Sequence, residues 1–294
     1  PFPVDKSSGT ILTGSLDMAY GNKTVSNALW MKRAPGAGYE RTDYSIGTPI
    51  VYSCAQYGFE HIIPWEMYKE AMSPLEPQKT AAQYLARVMA IARERRYAAI
   101  LFDAATTFSG KTAALSSFTL SGYKTSGDNT LKWSDANSIP RQDSIAVKEK
   151  VRQACGMQAN TLLIPKQTAD RLKTHPEIVS QFGLAQNVTV NESQLAGYLD
   201  VERVIVGKMM YGSQQPGATA ALSDIWGDYA LWCYVAPGAI TGTTMTLAGE
   251  ATFEALQVFQ RQDEDIDADI YKINESVHAL ALLTTCGYLI SDCI

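Results

Sequence analysis

The tripeptide Gly110-Lys111-Thr112 has the residue types that close a phosphate-binding loop, an ammonium for charge and a hydroxyl for a metal-bound phosphate. That loop also needs a glycine five residues before Gly110, where Ala105 stands, and it should follow a strand, whereas a helical stretch precedes it here. An ordinary loop is expected. The run "QDEDIDADI" puts Asp263, Asp265, Asp267 and Asp269 at alternate positions, on one face if the chain is extended. A calcium loop opening at Asp265 would require Gly at 270 and Glu at 276; Ile270 and Ser276 stand there, so a solvated or inter-subunit acidic strand edge is expected. His61, His175 and His278 are far apart, none at metal-ligand spacing, and no G-x-S-x-G elbow exists, so a hydrolase would need a triad assembled in space. Arg93, Arg95 and Arg96 form a small basic patch, read as a solvated face or as salt bridges to neighbouring carboxylates, with nucleic-acid contact as the alternative. No metal, cofactor or catalytic residue is expected.

The five cysteines, Cys54, Cys155, Cys233, Cys286 and Cys293, show no C-x-x-C spacing, and an odd count in a long chain does not read as a secreted disulfide framework. A reducing compartment is the simpler home. With 25 Lys and Arg against 30 Asp and Glu, the net charge of -5 argues against a dedicated nucleic-acid binder, which needs a concentrated positive field. The 294 residues suit about two domains with a real core. The opening "PFPVDKSSGT" reads as no signal peptide, and no apolar run is long enough to span a membrane. Pro1 is not a translation start, so loss of an initiator methionine or of a longer leader is expected.

The elements that must position these groups can be read in order. Residues 1–34 are polar, broken by Gly9, Gly14 and Gly21, and read as an extended arm that needs a partner surface. Tyr39–Ile46 and Ile50–Tyr57, separated by Gly47–Pro49, read as a long hairpin; its charges, Glu40, Arg41, Asp43 and Glu60, suit an element projecting from the body. A helix of roughly 25 residues, about 38 Å, follows, started by a Ser73/Glu76 capping box or by Pro77, with an apolar stripe at Leu85, Val88, Ala92 and Ala99. Phe108 to Thr130 reads as a loop or small ribbon. A second helix from Pro140 or Asp143 should bury Ile145, Val151 and Cys155. Strands at Thr161–Ile164, Arg203–Val206 and Tyr229–Val235 alternate with helices near Thr168–Thr174 and Leu195, a mixed α/β unit. In the last strand Trp226, Ala230 and Trp232 share one face and Tyr229, Leu231 and Cys233 the other, so both faces should be buried. The remainder is β-rich. The class is α+β.

The ordered phrases "ANTLLIPKQTADRLKTHPEIVSQF" (159–182), "YLDVERVIVGKMMY" (198–211), "SDIWGDYALWCYVAP" (223–237) and the end "GYLISDCI" resemble the major capsid proteins of tailed phages, with the Hong Kong 97-type fold shared with encapsulin shells. The likeness spans nearly the whole chain. It implies an N-terminal arm (1–34), an extension-loop hairpin (35–70), a peripheral domain with a spine helix (71–138 and 243–277) and an axial domain (139–242 and 278–294). It further implies a non-enzymatic protein that assembles with itself, as pentamers and hexamers, into an icosahedral shell. Expected partners are scaffolding, portal and decoration proteins and non-specifically held double-stranded DNA; the expected location is the virion, after assembly in the host cytoplasm.

Glu40, Arg41, Asp43, Glu60, Arg93, Arg95, Arg96, Asp263 and Asp265 are then the expected inter-subunit contacts. Some of the family weld their shells through an extension-loop lysine; Tyr44 to Gly58 contains none, so no such crosslink is expected. Cys54 in that hairpin reads as a plain thiol, with a redox-sensitive contact as the alternative. Two other readings compete: an encapsulin-type compartment, distinguished by a cargo enzyme, and a soluble hydrolase or carbohydrate-binding protein, which would need paired carboxylates or a positioned histidine in a pocket.

Overall fold

The computed structural model describes residues 1–13, 15, 16, 35, 47–70, 76–125, 130–182, 190–215, 217–219, 221–238 and 244–294. In chain order these form β1 (Phe2–Pro3), β2 (Ser8–Ile11), β3 (Ile50–Ser53), β4 (Ala55–Pro64), α1 (Trp65–Glu70), α2 (Pro77–Leu101), β5 (Thr112–Ala114), α3 (Pro140–Cys155), β6 (Thr161–Pro165), α4 (Lys166–Lys173), α5 (Pro176–Gln181), α6 (Glu192–Tyr198), β7 (Arg203–Gly207), β8 (Met210–Gly212), β9 (Leu222–Asp224), β10 (Tyr229–Cys233), β11 (Ala248–Asp263), β12 (Ala268–Ala281), a 3₁₀ turn (Thr284–Cys286) and β13 (Gly287–Ser291). Two sheets carry the architecture, one in the order β1-β11-β12-β4 and one in the order β5-β13-β10-β6-β7.

Helix α2 joins them. Pro77 occupies its first turn, where a missing N–H is no loss, and Glu76 is the N-cap. Its buried residues are Ala81, Leu85, Met89 and Ala98; Ala99, expected on the inner stripe, faces solvent, because the stripe follows a spacing of four from Ala81. Ala81, Leu85 and Met89 pack on Ile63, Tyr271 and Ile273 of the first sheet. The last turn enters a different core, in which Ala98 and Phe102 join Phe108, Leu115, Phe118, Trp133 and the second sheet. One rigid rod of about 38 Å therefore spans two cores.

The second core is the larger. Strand β10 is central, antiparallel to both β6 and β13, and Ala230, Leu231, Trp232 and Cys233 are 0–1% exposed, so both strand faces are buried as the sequence implies. Helix α3 starts at Pro140 and covers one face with Val147, Val151 and Cys155; Ile145 is 44% exposed and Ala146 takes the inward position instead. The segment read as a loop or small ribbon, 108–130, contains a short strand, β5, parallel to β13; Phe108 and Leu115 are 0% exposed, while Ser109, Gly110, Ser116, Ser117 and Tyr123 are exposed and 126–129 lie outside the described residues. Packing thus divides the chain near Phe102, and the expected boundary at 138/139 does not coincide with a boundary between cores.

At the other end, the first residues are held by their own chain. β1 runs parallel to β11, and β2 pairs antiparallel with β3, so Tyr52, Ala251, Leu280 and Leu282 close a small third core over Phe2 and Ile11. The expected partner surface for residues 1–13 is therefore intramolecular. Of the expected hairpin, Tyr39–Ile46 lies outside the described residues; Ile50–Ser53 takes β2 as its partner and Ala55–Pro64 takes β12.

A close approach fixes the edge of the second sheet. A Cβ built on Gly207 would sit 2.3 Å from Trp226 Cδ2, and the indole is backed by Phe102 at 5.1 Å between ring centroids. Gly207→Ala should therefore lower stability by about 1–3 kcal/mol through overpacking, read as a lower urea midpoint with an unchanged slope. An unaltered midpoint would mean that the indole has room to move.

Candidate functional site

The expected basic patch on α2 is dismantled within the chain. Arg93 makes a two-pronged contact to Glu250, Nη2 lying 2.6 and 2.9 Å from its carboxylate oxygens, and that hydrogen bond raises the guanidinium pKa. Arg96 donates to Glu275, a carboxylate only 1% exposed, and lies 3.7 Å over the Tyr57 ring. Arg95 stacks at 4.4 Å on Tyr211. Salt bridging to neighbouring carboxylates is thus how Arg93 and Arg96 are used, and these two seam α2 to β11 and β12. They offer little free charge to another subunit or to nucleic acid.

The acidic run is a hairpin tip and not one strand edge. Asp263 ends β11, Asp265 is exposed in the turn, and Asp267 takes a left-handed φ of 47°. Asp263 accepts from Arg261 at 3.1 Å and from the Asp265 amide at 3.2 Å. Asp269 turns the other way: 5% exposed, it accepts from Trp65 Nε1 at 3.3 Å and from the Tyr68 hydroxyl at 2.9 Å. Burial, and then the bond to Asp269, push the Tyr68 hydroxyl well above its ordinary value. Expected contacts that remain free at the surface are Asp265 and Glu60; Glu60 sits on β4 opposite the exposed Lys272 of β12. Glu40, Arg41 and Asp43 lie outside the described residues.

What sequence reading missed is apolar. On the first sheet Phe59, Ile62, Leu256, Val258 and Phe259 are 44–57% exposed, and Ile266 at the hairpin tip is 51% exposed. Within the described residues β4 pairs only with β12, and β11 beyond Thr252 pairs only with β12, so both edges of this sheet are open. A two-edged sheet with aromatics and branched residues on its surface is a place where another chain adds area. The signal was obscured because register shifts at Thr252/Glu254 and Glu254/Gln257 break the alternation that would have marked the exposed set.

The other chemical candidates resolve into structure. Lys111 donates to Thr284 and so points into the fold, away from any phosphate. Ser138 Oγ lies 3.0 Å from His175 Nε2, a serine–histidine pair, but His175 Nδ1 accepts the Glu177 amide at 3.3 Å as the N-cap of α5. That leaves the proton on Nε2, where the Asp135 carbonyl waits at 3.0 Å, so the ring is no base for the serine. Between α2 and the β6/β7 edge runs a groove of about 360 Å³, lined by Leu101, Phe102, Leu163, Ile205 and Trp226, with the single carboxylate of Glu94, whose pKa burial raises. Catalysis on a sugar would need a carboxylate pair there. No group of three or more His, Cys, Asp or Glu is arranged to hold a metal, and no helix is long and apolar enough to cross a membrane, among the described residues. Cys54 is half-buried, its thiol 3.6 Å from the Ala251 carbonyl and its pKa raised by burial.

No family model matches the chain. It is 24% identical over 180 residues to the major capsid protein of Burkholderia phage BcepMu, a match covering 61% of this chain and 53% of the relative. The chain thus spans about half the length of the curated relative it matches. Among solved structures it is similar to a phage-related protein from Bordetella bronchiseptica RB50, with a TM-score of 0.70 and 21% identity over 99% of this chain and 88% of that one. The capsid of cyanophage P-SCSP1u gives 0.57 at 11% identity over 97% and 83%, and a virus-like particle from Pyrococcus furiosus 0.57 at 8% identity over 99% and 89%. Two cores joined by one long helix, matched along almost the whole chain to capsid structures, are the Hong Kong 97-type capsid fold, and in sequence this chain is similar to a phage major capsid protein.

Proposed function

We propose that the protein is the building block of a tailed-phage head, assembling as pentamers and hexamers into an icosahedral shell around double-stranded DNA. The observation that carries this reading is the open, apolar first sheet, with Val258 at 57% and Phe259 at 47% exposure, in a chain whose curated relative is named a major capsid protein. A lone subunit gains nothing from such a surface; a closed shell repeats one contact many times, so modest pairwise affinity suffices. In this reading the five-stranded module forms the axial domain, the helix-backed sheet the peripheral domain, and residues 35–70 the extension loop. Asp265 and Glu60 sit at the contacts, scaffolding and portal proteins are partners, and the acidic balance of -5 keeps the wall from gripping the genome.

An encapsulin-type compartment is the second reading, supported by similarity to the SrpI encapsulin of Synechococcus elongatus PCC 7942, with a TM-score of 0.50 over 99% of this chain and 83% of that one. The phage reading is favoured by the higher score of the phage-related structure, 0.70. Electron microscopy with light scattering on the chain expressed alone should give closed shells or flat hexamer sheets. Persistent monomer, even with crowding agent or a co-expressed scaffold, would sink the shell; shells that copurify with an enzyme cargo would move the reading to the compartment.

A further inference from the structure

The second sheet ends at β7, whose outer row of backbone N–H and C=O groups has no strand partner among the described residues. Leu163 and Ile205, a cross-strand pair, lie in the groove of about 360 Å³ between this edge and α2. Two charges stand on its α2 wall. Arg93 is taken by Glu250, whereas Glu94 makes no ion pair among the described residues, and burial raises its carboxyl above the usual range. A cation brought to Glu94 would hold it ionised. The open edges of the first sheet differ in what they bring. On β4, Phe59 and Ile62 flank Glu60, which would set a second carboxylate beside Glu94. On β11 every residue from Ala255 to Gln262 is exposed, so neither strand face is covered, and beyond Thr252 its outer edge is open within the described residues. Phe259 lies opposite Lys272 and Arg261 opposite Ile270, which puts the phenyl ring and the guanidinium on one face, two residues apart. Arg261 pairs with Asp263 at 3.1 Å while 71% of its side chain is exposed, and a surface pair of that kind is readily exchanged for another.

We infer that β11 of one copy adds to the β7 edge of a second copy, with Phe259 entering the groove over Leu163 and Ile205 and Arg261 meeting Glu94. The two sheets then run on as one across the contact, main-chain hydrogen bonds supplying affinity and the charge pair fixing the register. Different elements meet on the two copies, so the contact is heterologous: repeated, it closes a ring where the rotation allows and otherwise grows as a filament. A ring is what a pentamer or hexamer needs, and to that extent the inference rests on the shell reading.

The test places the photo-reactive residue benzoylphenylalanine at position 259 of the full chain, all charges intact, and assembles an equal mixture of subunits labelled with light and with heavy nitrogen. Irradiation should link position 259 to a peptide of α2 or β7 from a different copy, seen as links that join the two labels. In the same background Glu94→Arg and Arg261→Glu should each lower the yield of that link roughly tenfold, and the two exchanged together should restore most of it. The parent link decides the matter even where Glu94→Arg fails to fold. No link, links confined to one copy, links that land elsewhere, or a folded double exchange that restores nothing would each overturn the inference. Closed shells whose links land elsewhere would remove this contact and keep the shell. The expected link in oligomers that never close would keep the contact and remove the shell.

Discussion

Asp143→Ala should cost about 3–5 kcal/mol of stability, enough to leave much of the protein unfolded at 37 °C. Asp143 is 0% exposed and sits at the first turn of α3, where its Oδ1 accepts from Lys124 Nζ at 2.6 Å and its Oδ2 from Trp133 Nε1 at 3.0 Å. Lys124, 1% exposed, also donates to the Leu115 carbonyl at 3.3 Å. One carboxylate therefore anchors two points of this region, Lys124 and Trp133, and Lys124 carries the tie on to Leu115. Removing it leaves an ammonium and an indole N–H in a site that water does not reach, and the penalty is that of an uncompensated charge. Replacing both partners, as Lys124→Met with Asp143→Leu, removes the charge and its counter-charge together and should recover the charge penalty, leaving a loss of about 1–3 kcal/mol from the unpaired Trp133 N–H. Urea unfolding followed by tryptophan fluorescence reads both variants, since Trp133 meets Trp232 edge-on at 5.8 Å in the same core. A single variant that loses less than the double would mean that the pair is not what holds this region.

This region also marks where sequence reading stops. Strands at 161–165, 203–207 and 229–233 were legible because each is a short apolar run bounded by turn residues, and the long helix because a proline opens it and its pattern persists for seven turns. Asp143 was visible only as a helix-start residue. Its partner Lys124 lies in a stretch of Ser, Thr, Gly and Lys that reads as a loop or small ribbon, and nothing local announces that Lys124 is buried or that β5 pairs with a strand from the far end of the chain. The same holds for the arginines. Arg93 and Arg96 were read correctly as candidates for salt bridges, but Glu250 and Glu275 are more than 150 residues away, so only the fold identifies them. Of the expected contact residues, those that the structure leaves free are set apart by exposure, a property of the tertiary arrangement. The apolar surface was hidden for a similar reason: Val258 and Ile273 are direct cross-strand partners, yet one is 57% exposed and the other 0% exposed, because α2 covers only one of them.

Arg96 ties that one-sided cover to the sheet through Glu275. Arg96→Ala should lower stability by about 3–5 kcal/mol, since Glu275 would keep its charge in a site only 1% exposed to solvent with its guanidinium gone. Arg96→Lys should fall between that and the parent: an ammonium can still approach the carboxylate, but it loses the planar stack at 3.7 Å over Tyr57. Arg95→Ala, which removes only an exposed stack on Tyr211, should cost about 0.5–1 kcal/mol. The order of the three urea midpoints is the test, and equal losses for Arg96→Ala and Arg95→Ala would show that the seam is not electrostatic. In the shell reading the consequence reaches assembly, because among the described residues α2 is the one helix in both cores and Arg96 ties it to Glu275 of β12. A subunit whose helix can shift on the sheet presents its open edges at variable angles, and a closed shell tolerates little variation in a contact it repeats. Arg96→Lys should therefore lose closed particles at a temperature where its isolated subunits are still folded, while Arg95→Ala assembles as the parent does. Particle yield that simply tracks folded fraction across all three variants would place the role of Arg96 in stability alone.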